Sequence, residues 1–321
     1  MTSKIRLLIA IIKFELLPFM FSGLIKDKQG EVHELRGSVN LNNSDFVHLH
    51  NHTHFSVLDG LTKIPPMVSL VKEYRMEAVA ITDHGTMSGV IDFYKEAKNK
   101  NIKPIIGMEV YVAPRKYTDR DVSKDKVSHH LIILAMNNTG YGNLMSLASI
   151  ASLEGFYYRP RIDFELLKKY NEGLIVLSGC IGGEVGDNLR NDQFDKAELA
   201  AKKYYEVFKD RYYLEVQDHG HPKHPQQWSE QYKVNEGILK LADKLDIPCV
   251  LTCDAHYLKA EDKEAHEILL CVQTGSFISD KQRMSLADFD LHLMSPESVI
   301  SRWGKTNPDL ILNSKKNSRS L

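Results

Sequence analysis

Phe46-Val47-His48-Leu49-His50-Asn51-His52 is an apolar run threaded with histidines, and Thr53-His54 extends the pattern to four histidines at every second position. In an extended strand side chains alternate between faces, so His48, His50 and His52 would project the same way. Imidazoles gather on one face mainly where they hold a metal, because neutral imidazole is the commonest protein metal ligand. A polar strand face that merely carries histidines is the alternative, and the downstream sequence decides between the two.

Six further strand candidates follow, at residues 78–83, 104–112, 130–135, 174–180, 212–217 and 248–254. Each is short, rich in Val, Ile, Leu or Tyr, and bounded by Gly, Asp, Asn or Pro. Helical patterns lie among them. One opens at Pro65-Pro66, with Met67, Leu70, Val71 and Tyr74 at helical spacing; others cover 88–100, 142–152, 193–210, 226–245 and 262–272. Proline is tolerated in a first helical turn. Strands alternating with helices read as βαβ units and hence a parallel sheet. With no GxGxxG after the first strand, the expectation is an α/β fold of the barrel kind, a distorted (β/α)7 TIM-like barrel rather than a dinucleotide fold.

The chain has 321 residues, enough for one large barrel. Lys+Arg 41 against Asp+Glu 42 leaves a formal net charge of -1, so no global basic excess announces a nucleic-acid binder. Cys180, Cys249, Cys253 and Cys271 show no disulfide-framework spacing, and a reducing cytoplasmic location is expected. Cys249 and Cys253 lie four apart, but no second Cys or His pair completes a zinc knuckle. Residues 6–24 are apolar yet interrupted by Lys13, Glu15 and Pro18, which fits neither a spanning helix nor a signal peptide. No membrane association is expected. Residues 1–45 are expected to be an accessory or poorly ordered extension, 46–285 the working domain, and 286–321 the start of a connection to something further. The tail from about Ser301 is polar and lacks a core pattern, like a linker.

Metal-capable side chains recur where strands end. Asp59 follows the first strand and His84 the second; Glu109 lies in the third; Cys180 closes the fifth; Asp254 and His256 leave the seventh. In an α/β barrel the C-terminal strand ends form the mouth where active sites are built. His129 and His130 are exceptions, because they begin the fourth strand; only a distorted barrel or a shifted boundary brings them in. A lone Asp-Gly is usually a turn and a lone buried Cys usually packing, but six segments offering ligands at one mouth are hard to obtain by accident.

His50-x-His52, Thr82-Asp83-His84-Gly85 and Asp254-x-His256 resemble the motifs of the PHP (polymerase and histidinol phosphatase) superfamily. FVHLHNHTHFSVLDGLTKI, GVIDFYKEAKNKNIKPIIGMEVYVAPR, LASIASLEGFYYRPRID, GLIVLSGCIGGEV and KEAHEILLCVQTG together resemble the N-terminal PHP domain of the bacterial DNA polymerase III alpha subunit. The resemblance runs from about Phe46 to Gly275, and more weakly to about Glu297. It implies that the metal-bearing positions are His50, His52, Asp59, His84, Glu109, His130, Cys180, Asp254 and His256. It leaves His48, His54 and Asp83 as neighbours, with His219 and His221 near the mouth or in an ordinary surface loop. The family's polymerase palm lies beyond the PHP domain, so 286–321 would lead toward it.

Mixed imidazole, carboxylate and a single thiolate suit zinc, with manganese or magnesium conceivable at the oxygen-rich positions. Nine ligands exceed one tetrahedral ion, so two or three divalent ions are implied, bridged by Glu109. Such a cluster acidifies water and neutralises phosphate oxygens. The resemblance implies metal-dependent phosphodiester hydrolysis of the 3′-5′ exonuclease type, with His50, Asp254 and Glu109 central to catalysis. It also implies DNA, the remainder of the replicative polymerase and other replicase subunits as partners. Arg115, Lys116, Arg159 and Arg161 are candidates for DNA phosphate contacts, against an ordinary solvated basic face. The other readings are a non-catalytic structural or interaction module of the replicase, and a phosphatase resembling histidinol phosphatase.

Overall fold

The computed structural model describes residues 23–26, 32–35, 40–220 and 225–321, and the chain divides into two units, residues 1–40 and 41–321. In the first unit β1 (Gly23–Lys26) pairs antiparallel with β2 (Val32–Leu35). Most of the apolar run at 6–24 lies outside the described residues, as does His221.

The second unit alternates helix and strand through most of its length. In chain order it runs α1 (Ile64–Glu73), β3 (Ala78–Ile81), α2 (Val90–Asn99), β4 (Lys103–Val112), β5 (His129–Ala135) and α3 (Asn138–Leu153). It continues with β6 (Arg161–Ile162), α4 (Phe164–Lys169), β7 (Leu174–Leu177), α5 (Glu184–Arg190) and α6 (Phe194–Phe208). Then come β8 (Tyr212–Gln217), α7 (Pro225–Leu245), β9 (Cys249–Thr252), α8 (Lys263–Thr274), α9 (Pro296–Trp303) and α10 (Pro308–Ser320). Helix starts follow local chemistry: α1 carries its prolines in the first turn, and Asp163 caps α4 by accepting from the Leu166 amide at 2.8 Å.

The sheet order is β3-β4-β5-β7-β8-β9, with β6 added against β4. The expected all-parallel sheet needs one correction. Strand β5 runs antiparallel to both β4 and β7, whereas β3/β4, β7/β8 and β8/β9 are parallel. A parallel neighbour requires a long crossover, usually a helix. Residues 113–128 contain none, so the chain turns back at the end of β4 and descends as β5.

The histidine segment takes the place of a strand between β3 and β9 without forming a regular ladder. Ala80 N donates to His48 O at 2.9 Å, Thr82 N to Asn51 O at 3.0 Å, and His52 N to Ala255 O at 2.7 Å. The Asn51 side-chain amide stands in for missing ladder bonds by donating to the carbonyls of His48 (3.2 Å) and Ala80 (3.1 Å). This segment links the two ends of the sheet and closes the barrel.

Two apolar clusters account for the continuous hydrophobic strands. Val47, Leu49, Ala78, Ala80, Ile105, Ile132, Leu134, Ile175, Leu177, Tyr213 and Val250 fill the interior. Alternate residues such as Val79, Ile81, Ile133, Val176, Leu214 and Leu251 pack outward with the helices. Strands buried on both faces read as unbroken apolar runs, as barrels with helices outside require.

The tail is also corrected. Residues 308–320 form a helix that packs on the barrel, with Leu310 and Ile311 buried. Its polar groups engage strand starts: Val47 N donates to Ser314 Oγ at 2.9 Å, Asn313 Nδ2 to Cys249 O at 2.7 Å, and Lys103 Nζ to Ser318 O at 2.7 Å. No apolar stripe announces the helix because hydrogen bonds supply much of its attachment.

Candidate metal centre

The interior period of two carries most of the donors to the mouth. Ala78, Ala80 and Thr82 lead to His84; Ile105 and Gly107 to Glu109; Val250 and Thr252 to Asp254 and His256. His130 shares the interior parity of Ile132 and Leu134. It reaches the mouth because β5 is reversed, so its N-terminal end lies beside the C-terminal ends of its neighbours. His50, His52 and Cys180 break the period. His50 follows interior Leu49 where the ladder lapses, and Cys180 follows Gly179, whose φ of 82° only glycine adopts readily. Asp254 also has a positive φ, 48°, at the end of β9. Such backbones cluster at functional sites, where the surroundings hold them.

The side chains converge on Glu109. Its Oε2 stands 2.8 Å from His84 Nδ1, 3.1 Å from His52 Nε2 and 3.6 Å from His50 Nε2; its Oε1 stands 2.8 Å from His130 Nδ1. Asp254 Oδ1 lies 3.1 Å from both His50 Nε2 and His52 Nε2, which are themselves 3.1 Å apart. Asp59 Oδ2 lies 3.2 Å from His84 Nε2. Cys180 Sγ is 3.5 Å from His130 Nδ1 and 3.9 Å from Glu109 Oε1. His256 stacks on His52 at 4.3 Å, with its Nδ1 engaged by the Asp254 carbonyl at 2.8 Å.

Several of these buried atoms make no hydrogen bond despite their proximity: Glu109 Oε2, His84 Nδ1, Asp254 Oδ1 and Asp59 Oδ1. Buried polar atoms are nearly always partnered. Lone pairs that face a common space instead of one another fit a cation between them. Among the described residues three donor triads each lie within 4.8 Å: His52/His84/His256, His50/His52/Asp254 and His84/Glu109/His130. His52 and His84 each serve two triads, so the set fits more than one ion.

Electrostatics match. Burial pushes the His50 imidazole down, but Asp254, Glu215 and Glu109 outweigh it and hold it well above its ordinary value. His84 is raised likewise against burial by Glu109 and Asp59. Burial favours neutral Glu109 and Asp254, yet the surrounding imidazoles hold both well below the usual carboxylate range. Burial, with His52 adding to it, lowers His256 to about 3, leaving a neutral imidazole ready to bind a cation. Burial raises the Cys180 thiol, reinforced by Glu109 and Asp254.

Residues 48–219 match the family model described as the PHP domain. The chain belongs to the PHP family. Curated relatives of this PHP chain are called DNA polymerase III subunit alpha. The protein from Borreliella burgdorferi is 42% identical over 257 residues, covering 80% of this chain and 22% of the relative. That from Thermus aquaticus is 42% identical over 268 residues, covering 81% and 21%, and that from Aquifex aeolicus is 42% identical over 267 residues, covering 81% and 22%. The PHP chain thus spans about a fifth of the length of the curated relatives it matches.

Around these side chains the PHP domain places a supporting layer that strand alternation alone does not reveal. Glu215 Oε1 accepts from His50 Nδ1 at 2.7 Å and from Thr252 Oγ1 at 2.5 Å, while Oε2 accepts from Gly179 N at 3.1 Å. Ser56 Oγ is 3.0 Å from His52 Nδ1 and donates to Asp83, whose carboxylate also holds Thr53. The signal for Glu215 was present: Tyr213, Glu215 and Gln217 are alternate residues on the interior face of a buried strand. His48 points away, its Nε2 at 2.9 Å from Met294 O, and His54 is exposed. His219 is buried 3.8 Å from Asp254 Oδ2.

One candidate for phosphate contact is corrected. Arg161 is 1% exposed and donates to the carbonyls of Gly155, Tyr117, Asp119 and Asp125, so its guanidinium is a structural tie. Arg115 is exposed but paired with Asp125 at 2.6 Å. Lys116 is exposed, and Arg159 lies over the Tyr111 ring at 5.8 Å, beside His84 and His130. None of the helices among the described residues is long and apolar enough to cross a membrane.

Proposed function

We propose that this PHP domain hydrolyses phosphodiester bonds with the help of bound metals, releasing nucleotides from the 3′ end of DNA, as part of a polymerase III alpha-type replicase in the cytoplasm. The observation that carries the reading is the buried pair of unpartnered carboxylate oxygens, Glu109 Oε2 and Asp254 Oδ1, facing the imidazoles of His50, His52 and His84. When bound, two or three divalent ions would neutralise phosphoryl oxygens and acidify water; the donor set suits zinc, with manganese or magnesium at the oxygen-rich side.

The chain's own residues supply the rest. Glu109 offers one oxygen toward His130 and Cys180 and the other toward His52 and His84, joining both halves of the site. Glu215 and Ser56 fix the His50 and His52 rings. Arg159 and Lys116, and Arg115 less directly because of its partner Asp125, would contact DNA phosphates. DNA and the remainder of a replicative polymerase with its other subunits are the implied partners. The test is nucleotide release from a 3′-labelled strand, which should fall at least about 100-fold in His50→Ala and Asp254→Ala; full activity in both variants contradicts the reading.

A further inference from the structure

The mouth of the metal centre is flanked by a loop whose construction the hydrolytic reading does not use. Between Gly155 and Arg161 the chain forms a tight turn in which Tyr157 N donates to Arg159 O at 3.0 Å, with Tyr158 at its tip. Tyr158 has φ 60°, a left-handed backbone that a bulky residue rarely adopts. Tyr158 is 55% exposed and Phe156 56%.

The loop is braced from below. Arg161 lies under the Tyr157 ring at 5.0 Å while its guanidinium ties the loop to the carbonyls of Tyr117, Asp119 and Asp125. Pro160 packs directly on Gly85, where an added Cβ would come within 2.6 Å of its ring. Gly85 follows His84 in sequence, so the turn abuts the donors. Cations interleave with the aromatics: Lys126 Nζ stands 5.9 Å from the Tyr158 ring, and Arg159 lies over Tyr111. Tyr158 meets the Tyr157 ring edge-on at 4.6 Å yet stays more than half exposed, on a rigid support beside the donors, and such left-handed backbones cluster at functional sites.

We propose that the Phe156–Arg159 turn is a stacking platform for the bases of single-stranded nucleic acid, with Tyr158 under a base and Lys126 and Arg159 on the flanking phosphates. Exposed rings interleaved with cations are what a strand end offers partners to, since every base has a π-face and every linkage a negative charge. The inference rests on the phosphodiester reading above and names the form of substrate which that site would take.

The backbone provides the test. Glycine accepts φ 60° without strain, and asparagine nearly so. Binding of the full chain to a fluorescent oligothymidylate, and to an abasic strand of equal length, is measured by anisotropy in chelator so that nothing is cut. Wild type should prefer the base-bearing strand. In Tyr158→Gly and Tyr158→Asn that preference should shrink roughly 5- to 100-fold, while Tm is unchanged or raised. Equal binding of both strands by wild type, an intact preference in both variants, or a lowered Tm in both overturns the proposal. Hydrolysis with Mn2+ is scored separately, so a chain that discriminates the strands but cleaves neither ends the phosphodiesterase reading alone.

Discussion

Glu215 Oε1 lies 2.7 Å from His50 Nδ1, on the side of the imidazole opposite the Nε2 that faces His52 and Asp254. A carboxylate in that place fixes the tautomer and the aim of a ligating ring. Glu215→Ala should therefore weaken zinc binding about 10- to 100-fold although Glu215 is not among the proposed ligands. Competition with a chromogenic chelator measures this, and an affinity within two-fold of wild type would show the bond to be idle.

Proton and metal should compete for the same atoms. His50, His84 and His130 are raised from their ordinary 6.5, by carboxylates that outweigh burial, so the metal-free site holds protons near neutrality. Metal uptake should release protons and strengthen as pH rises. For the metal-free chain the sign is the reverse. Raised imidazoles stabilise the fold fully below 6.5 and less as pH climbs through their folded values. The depressed Glu109, ordinarily 4.5, stabilises above that value and less as pH falls below it. Buried His48 and His256, lowered to about 4 and about 3, must stay neutral in the fold and so cost stability as pH falls below 6.5; in chelator, Tm should thus peak near pH 6.5 and decline on either side. A Tm still rising in chelator between pH 7 and 9 would contradict these assignments.

Arg161 should matter to stability and not to DNA charge. Its removal strips four carbonyls of a shared donor and leaves space under Tyr157. Arg161→Ala should cost about 3 kcal/mol or more in urea unfolding, and Arg161→Lys most of that, because an ammonium cannot reach four acceptors in one plane. A loss under about 1 kcal/mol would contradict the tie.

The last helix should be part of the folded unit. Ser314 is fully buried, accepting from Val47 N and donating to Ile311 O. Ser314→Ala removes the acceptor with little change in volume and strands the Val47 amide, so a loss of about 1–3 kcal/mol is expected on thermal or urea unfolding. An unchanged midpoint would mean the helix is only lightly attached.

What could be read beforehand followed from period. Apolar strands of alternating interior and exterior residues carried His84, Glu109, Asp254 and His256 to one end, and the missing helix at 113–128 already held the reason why His130 joins them. The reversal of β5 escaped because strand direction is set by the connection, not by the strand. His50, His52 and Cys180 reach the site through irregular backbone, where alternation from the interior residues before them would place them on the wrong face. Glu215 resembled one more charged residue until the buried face it occupies was known, and the last helix attaches by polar groups that leave no hydrophobic pattern.

Nine side chains at the barrel mouth are proposed to hold a cluster of divalent ions that does the hydrolysis. Metal content of the purified chain, by mass spectrometry after dialysis against zinc or manganese, tests it most directly when paired with 3′-end nucleotide release. Two or three ions per chain are expected, with at least one fewer in Glu109→Ala and loss of release in that variant. Fewer than one ion per chain, or release that chelator leaves untouched, would contradict it.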